Sequence, residues 1–377
     1  MRSVLRSATW ALAGPALVAL WAGCAATPRT GGWPGWEQLP LQHAEYFQLW
    51  KNGDARLLLT FGPGGTSDTT GLFVLATANA PAAVPHGAAV LRQPLERVAL
   101  WSTTHASFIT ALGSADAIVG CAYTGRLRDS LVAARARAGK VAEIATADGL
   151  DRERLMLLSP EALFTYPYGT EAKGPALGAV LPISIAEYLE PHPLGRAEWV
   201  RAFGVLLGKE EQAVQLFNGI TERYGAARSS VPQDGGGPYV FFGSAWQGTW
   251  SVPVGNSYMA HLIADAGGRY LFADRDAEGN MDVDLETVIN KGGKADRWGR
   301  VLELDHPATV SDVAGGDARI LSLPALRNGG AFYGNSTESD LFGQAGLEPD
   351  VVLLDLIGIF RPSLRDGRKP VYFKPVQ

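Results

Sequence analysis

The chain has 377 residues, 46% of them hydrophobic and 19% charged; this is a globular composition on more length than one core usually fills, so two domains are expected. Its net charge is −5 and it has no Lys/Arg run, which argues against a nucleic-acid partner. Ordinary solubility accounts for acidity this mild.

The first residues carry Arg2 and Arg6, then an apolar run from Ala8 to Trp21, too short and too broken by Gly and Pro for a membrane span, then Ala22-Gly23-Cys24. Residues 1–24 therefore read as a lipoprotein signal with Cys24 as the acylated thiol. Plain secretion with cleavage after Ala26 is the other reading. Residues 25–40 hold Pro, Gly and Thr without periodicity and read as a tether. With Cys24 acylated, Cys121 has no disulfide partner. It ends the apolar stretch AIVGC with nothing electropositive beside it, and reads as a small buried hydrophobe.

Further on, Tyr46 to Trp50 and Ala55 to Phe61 flank Lys51-Asn52-Gly53-Asp54, a hairpin signal, and Leu72 to Ala76 suits a third strand. Gly62-Pro63-Gly64-Gly65 lacks the Lys-Ser/Thr and the helix of a phosphate loop and reads as a turn. From Arg97 strands and helices alternate: RVALW, then a helix in ASFITALGSA capped from STTH, AIVGCAY, a helix in LDRERLMLLSP capped near Asp151, ALFTY, AVLPISI, and a helix in GRAEWVRAFGVLLG. Such alternation predicts right-handed crossovers and a mostly parallel sheet. The ligand crevice of such a sheet lies beyond the carboxyl ends of its strands, which directs attention to Ser102, Thr103, Thr104, His105, Tyr123, Tyr166, Tyr168 and Glu187.

Lys209 to Arg228 places Ala213, Leu216, Phe217, Ile220 and Tyr224 at three- and four-residue steps, an amphipathic helix about 30 Å long at 1.5 Å per residue. Gly208 breaks it from the preceding helix. After the SSVPQDGGGP loop the strand YVFFG, the helix SYMAHLIADAGG, the helix DLETVINKGG and the apolar run VVLLDLIGIF repeat the α/β rhythm more loosely. The residues to watch there are Ser244, Trp246 and Trp250, with Tyr333, Asn335 and Arg361 in later loops.

PLERVALWSTTHASFITALGSADAIVGCAY resembles the first strand-helix-strand of the cobalamin- and iron-siderophore-binding periplasmic proteins of ABC importers, the class III group. GLDRERLMLLSPEALFTY, PLGRAEWVRAFGVLLGKEEQAVQLFNGITERY and DLETVINKGGKADRW are similar to later segments of that family, and LLDLIGIFRPSL is similar to its closing signature, with Arg where many relatives carry His. The resemblance implies an α/β fold of two Rossmann-like lobes with mainly parallel sheets, joined by one long helix, with the ligand cleft between them. The first lobe is expected at 41–194, a helix pair at 195–230 containing the linker at 209–228, and the second lobe at 231–377. It also implies delivery of the ligand to an ABC permease dimer, with Glu153 and Glu286, by motif position, docking on permease arginines.

A corrinoid, a ferric siderophore or haem is broad and flat, so its site needs aromatic area with a few polar groups. Trp246 and Trp250 suit that need, or serve as core or loop staples; Tyr123 and Tyr166 are ligand contacts or core residues, and Tyr333 is a candidate ligand contact. Thr103 and Thr104 are ligand contacts or helix caps. Arg361 meets an anionic ligand group or a structural partner. The histidines at 43, 86, 105, 192, 261 and 306 are scattered without the spacing of a bare metal site, which favours the chelate-binding branch over the zinc or manganese branch. His105, after a cleft-edge strand, is a polar loop residue or an axial ligand.

The expectation is a monomeric, exported, lipid-anchored binding protein facing periplasm or cell exterior, with no cofactor and no covalent chemistry. A secreted α/β hydrolase is the alternative from another class, although no Gly-x-Ser-x-Gly elbow or His-Glu-x-x-His occurs. A partner-binding surface lipoprotein on the same fold is the third reading.

Overall fold

The computed structural model describes residues 32–77, 84–167, 177–232, 235–246, 249–277 and 279–376, the side chain of Trp246 excepted. The signal with Cys24, residues 25–31 of the expected tether, and Tyr168 lie outside them; within the rest of that stretch Trp36 is buried and Glu37–Leu39 form a strand.

The expected early hairpin belongs to a five-stranded sheet ordered β1 (Glu37–Leu39), β2 (Phe47–Asn52), β3 (Ala55–Gly62), β4 (Gly65–Ala76) and β5 (Ala89–Arg92). Its pairs are antiparallel except β4 with β5. The β2–β3 turn needs a left-handed residue, and Gly53 supplies it at φ 55°. Strand alternation divides the apolar residues between two faces. Phe47, Leu49, Leu58, Phe73 and Leu75 join the main core, while Trp36, Trp50, Leu57, Leu59, Phe61 and Val74 form a cluster of their own.

The first lobe runs β6 (Val98–Leu100), α1 (Ala106–Ala111), β7 (Ile118–Cys121), α2 (Ser130–Arg137), β8 (Ala142–Glu143), the ribbon β9 (Ala145–Thr146) and β10 (Gly149–Leu150), α3 (Arg152–Leu158), β11 (Ala162–Thr165), β12 (Leu181–Ser184) and α4 (Pro193–Leu206). Its sheet order is β12-β11-β6-β7-β8, every pair parallel. Asp151 caps α3 as expected, accepting from the Arg154 amide at 2.9 Å, whereas Ser102 caps a short helical turn at Thr103–His105, accepting from the Thr104 amide at 3.3 Å, and α1 after it has no side-chain cap.

The linker is α5 (Glu210–Ser229), preceded by Gly208 at φ 65°. Its buried residues, Ala213, Phe217, Ile220, Tyr224 and Ala227, follow the helical period and pack between neighbouring helices. A Cβ on Gly204 of α4 would stand 2.5 Å from the Ala213 Cβ, so the close α4–α5 contact requires glycine there. Arg56 of β3 binds Glu210 at 2.7 Å at the start of the helix; towards its end Arg228 binds Asp265 at 2.8 Å.

The second lobe comprises β13 (Tyr239–Phe242), β14 (Ser244–Trp246), β15 (Thr249–Pro253), α6 (Tyr258–Asp265), β16 (Arg269–Tyr270), β17 (Asn280–Val283), α7 (Leu285–Gly292) and β18 (Arg297–Leu302). There follow the one-turn helices α8 (Val310–Val313), α9 (Ala318–Leu321) and α10 (Pro324–Arg327), then β19 (Ala331–Asn335), α11 (Gln344–Leu347), α12 (Pro349–Phe360) and β20 (Phe373–Pro375). Its main sheet is β16-β13-β18-β19-β20, parallel except for β20, and β14-β15-β17 form a small antiparallel sheet. The run VVLLDLIGIF is α12, buried on nearly every side because α5, α6 and β20 all pack on it.

Candidate functional site

A cavity of about 830 Å³ lies where the segment after β12 meets the second lobe. Tyr188, Glu190 and Arg196 line it from the first lobe, and Phe242, Asn256, Ser257, Tyr258 and Phe342 from the second. Glu45, Tyr46 and Pro63 of the early sheet complete the wall. Phe342 is 60% exposed, an open aromatic face in a concave site. Elsewhere the loop before α2 reaches the second lobe just past β19: Arg128 Nε donates to the Ser336 carbonyl at 3.0 Å.

Arg196 projects from α4 across to the second lobe, its guanidinium 4.0 Å from the centroid of the Tyr258 ring. One Nη donates to the Tyr188 carbonyl at 3.0 Å, while Nε is buried without a hydrogen-bond partner. It is the one Lys or Arg among the described residues lining the cavity.

Glu190 accepts from the amides of Glu45 at 2.9 Å and Tyr46 at 3.1 Å and from the Trp199 indole at 2.9 Å. Burial pushes its carboxyl up to about 7 in spite of these donors. Glu198 on α4 accepts from the amides of Gln42, His43 and Ala44 and binds Arg201 at 2.9 Å. Five successive amides are thus held by two carboxylates, which fix the early sheet against α4. Beneath the wall, burial raises the Glu187 carboxyl, but His105, 3.7 Å away, and the Thr104 hydroxyl, donating at 2.8 Å, outweigh it and leave the pKa below the usual range.

Among the described side chains, which exclude that of Trp246, the candidate ligand residues read from the sequence do not line this cavity. His105, 1% exposed, turns inward beside Phe203, because it closes a short helical turn whose next residues are core. Trp250 is 3% exposed, packed edge-on against Phe241 and Trp298 on the inner face of β15. Tyr333 is buried in β19 under the Lys374 ammonium. Arg361 follows α12 and lies against Gly267. Thr103 and Tyr166 are half-buried, and Tyr123 is exposed at φ 55° near Trp101. The Trp246 backbone pairs with Thr249 in β14.

Three histidines that are distant in sequence come together behind the cavity. The His43 and His192 rings stack at 4.7 Å, and His192 lies 5.3 Å from His261. His192 Nδ1 accepts from the Leu194 amide, capping α4. No group of His, Cys, Asp or Glu among the described residues is arranged to hold an ion. Glu153 and Glu286 are exposed in the first turns of α3 and α7.

The segment from Tyr188 to Arg196 was the missed signal, since Glu187 is the last residue the strand-end argument reaches. Nothing local to Arg196 in the helix segment GRAEWVRAFGVLLG says that it crosses to the second lobe.

The family described as periplasmic binding protein matches residues 98–296. An uncharacterized lipoprotein of Methanocaldococcus jannaschii is 27% identical over 300 residues, 75% of this chain and 69% of the relative. Among solved structures, the TroA-like periplasmic binding protein FepB of Veillonella parvula superposes with a TM-score of 0.56 at 17% identity, covering 76% of this chain and 96% of that one. A periplasmic heme-binding protein of Pseudomonas aeruginosa gives 0.55 at 17% identity, over 75% and 98% of the two chains. For an ABC-type Fe3+-hydroxamate transport protein of Saccharomonospora viridis the values are 0.51 and 20%, over 70% and 94%. Among the described residues no helix is long and apolar enough to cross a membrane. The chain thus belongs to the periplasmic binding protein family.

Proposed function

We propose that this chain captures a metal-chelate nutrient, a ferric siderophore, haem or a corrinoid, in the cavity between its lobes and delivers it to an ABC permease. The observation carrying this reading is the composition of that cavity. About 830 Å³ walled by Tyr46, Tyr188, Phe242, Tyr258 and Phe342, with Arg196 as a guanidinium, suits a broad, partly apolar, anionic chelate. The relatives named for iron, haem and Fe3+-hydroxamate support the same class of cargo. Capture needs no bond-making; tighter binding by the closed state suffices to shift the lobes.

Lipidation at Cys24 would hold the protein at a membrane surface, and the lipoprotein relative supports that address. Glu153 and Glu286 are the carboxylates assigned to permease docking. The test is a titration of the soluble form starting after Cys24 with cobalamin, cobinamide, haem and ferric siderophores, followed by tryptophan fluorescence. Saturable quenching by one class is expected; no response to any of them sinks the reading.

A further inference from the structure

A second groove, of about 440 Å³, adjoins the main cavity and is built from the early sheet and the loop between β1 and β2, outside the residues 98–296 that match the family. Glu45 and Tyr46 line both cavities. The β3–β4 turn also reaches both, with Pro63 on the main cavity and Gly65 and Thr66 on the groove. Gln38 of β1 and Gln48 of β2 add two amides.

The groove is preformed, because Glu190 and Glu198 hold the amides from Gln42 to Tyr46 that make its inner edge. Its chemistry differs from that of the main cavity. Glu45 is the one charged residue among the described residues lining it, and no cation faces it. An anionic arm would lose hydration there and meet a carboxylate, whereas amide and hydroxyl groups, or an ammonium, would find acceptors.

We propose that this groove is a second ligand subsite, which takes an uncharged or cationic polar arm of a chelate whose body occupies the main cavity. The proposal rests on the reading of the main cavity given above. It makes the early sheet a specificity element, attached to a binding-protein core that handles the chelate body.

Two ferric tris-hydroxamates test it: a linear one with a free aminoalkyl arm and a macrocyclic one without an arm. The soluble chain and its Thr66→Phe and Gln48→Leu variants are titrated with each by calorimetry, with thermal unfolding to confirm that the variants fold. The wild type is expected to bind the armed chelate about tenfold more tightly. Each variant should abolish that preference and hold the armless affinity within about twofold. Equal wild-type affinities, or equal losses for both chelates, overturn the subsite and leave the main cavity standing. Binding of neither chelate by the wild type overturns the subsite, while the main cavity then stands or falls on the titrations with haem, corrinoids and other siderophores.

Discussion

Arg196 and Tyr258 join the lobes through a cation over an aromatic face, the guanidinium 4.0 Å from the ring centroid. The two residues come from α4 and from the first turn of α6, so the contact crosses the cavity wall from one lobe to the other. The Nε of the same guanidinium is buried without a hydrogen-bond partner.

Lysine keeps the charge of Arg196 and loses the planar fork and its contact with the ring. Arg196→Lys is therefore expected to weaken an anionic chelate about tenfold, roughly 1.4 kcal/mol, and Arg196→Ala more. Titration of both variants against the best ligand of the wild type checks this. Unchanged affinity in Arg196→Ala would remove the residue from the site.

Trp250 gives the opposite expectation. It is 3% exposed against Phe241 and Trp298, so Trp250→Ala should cost about 3–5 kcal/mol of stability. Chemical denaturation measures that loss. Ligand affinity of the folded fraction, read at low temperature, should stay at the wild-type value. A specific loss of affinity with stability intact would return Trp250 to the ligand wall.

These two residues show how far the sequence reaches. The helical period of Ala213, Phe217, Ile220 and Tyr224 declares α5 because one-sided burial leaves a repeating trace, and the strand-helix rhythm after Arg97 declares the first lobe for the same reason. Trp250 lies near the strand end that a cleft argument favours, but the small sheet β14-β15-β17 turns its ring inward, and that pairing is long-range. Arg196 is hidden for a related reason: its partner is 62 positions away, in a segment that only the assembled fold brings near. The Gly62–Gly65 turn reads correctly as a turn, yet its place over the cavity depends on the docking of the early sheet through Glu190 and Glu198.

That docking is itself open to test. Glu198 is fully buried and accepts from three amides and Arg201. Glu198→Ala leaves those donors and the guanidinium uncompensated, a loss of about 3–5 kcal/mol. Hydrogen exchange should accelerate at the amides of residues 42–46 beyond the change in the rest of the chain. Uniform acceleration would mean that the carboxylate stabilises the whole chain without specifically holding the sheet.

For Glu153 and Glu286, exposed on α3 and α7, truncation costs the protein little by itself. The double variant Glu153→Ala, Glu286→Ala should lower uptake by cells at least tenfold while the purified protein binds ligand as before. Loss of affinity in the purified protein would contradict the docking assignment.

The pH dependence of stability sets the half-buried His192 against the buried Glu190. Burial, reinforced by the neighbouring His43 and His261, lowers His192 to about 4 from 6.5, with Arg228 adding and Asp265 opposing. Between those values the unfolded chain takes a proton that the folded chain refuses, so this group costs stability as pH falls from about 6.5 towards 4. Glu190 runs the other way. Its folded pKa of about 7 lies above 4.5, so the folded chain takes the proton first and stability rises as pH falls from 7 to 4.5. One group contributes at most about 1.4 kcal/mol per pH unit, and the half-buried His192 less because solvent screens it. His192→Asn should therefore make stability rise more steeply on acidification than in the wild type, and Glu190→Gln should make it fall more steeply. Denaturation midpoints at half-unit steps from pH 4.5 to 7 measure both slopes. Parallel curves for wild type and His192→Asn would show that His192 binds its proton equally well in the folded and unfolded chain and carries no proton linkage.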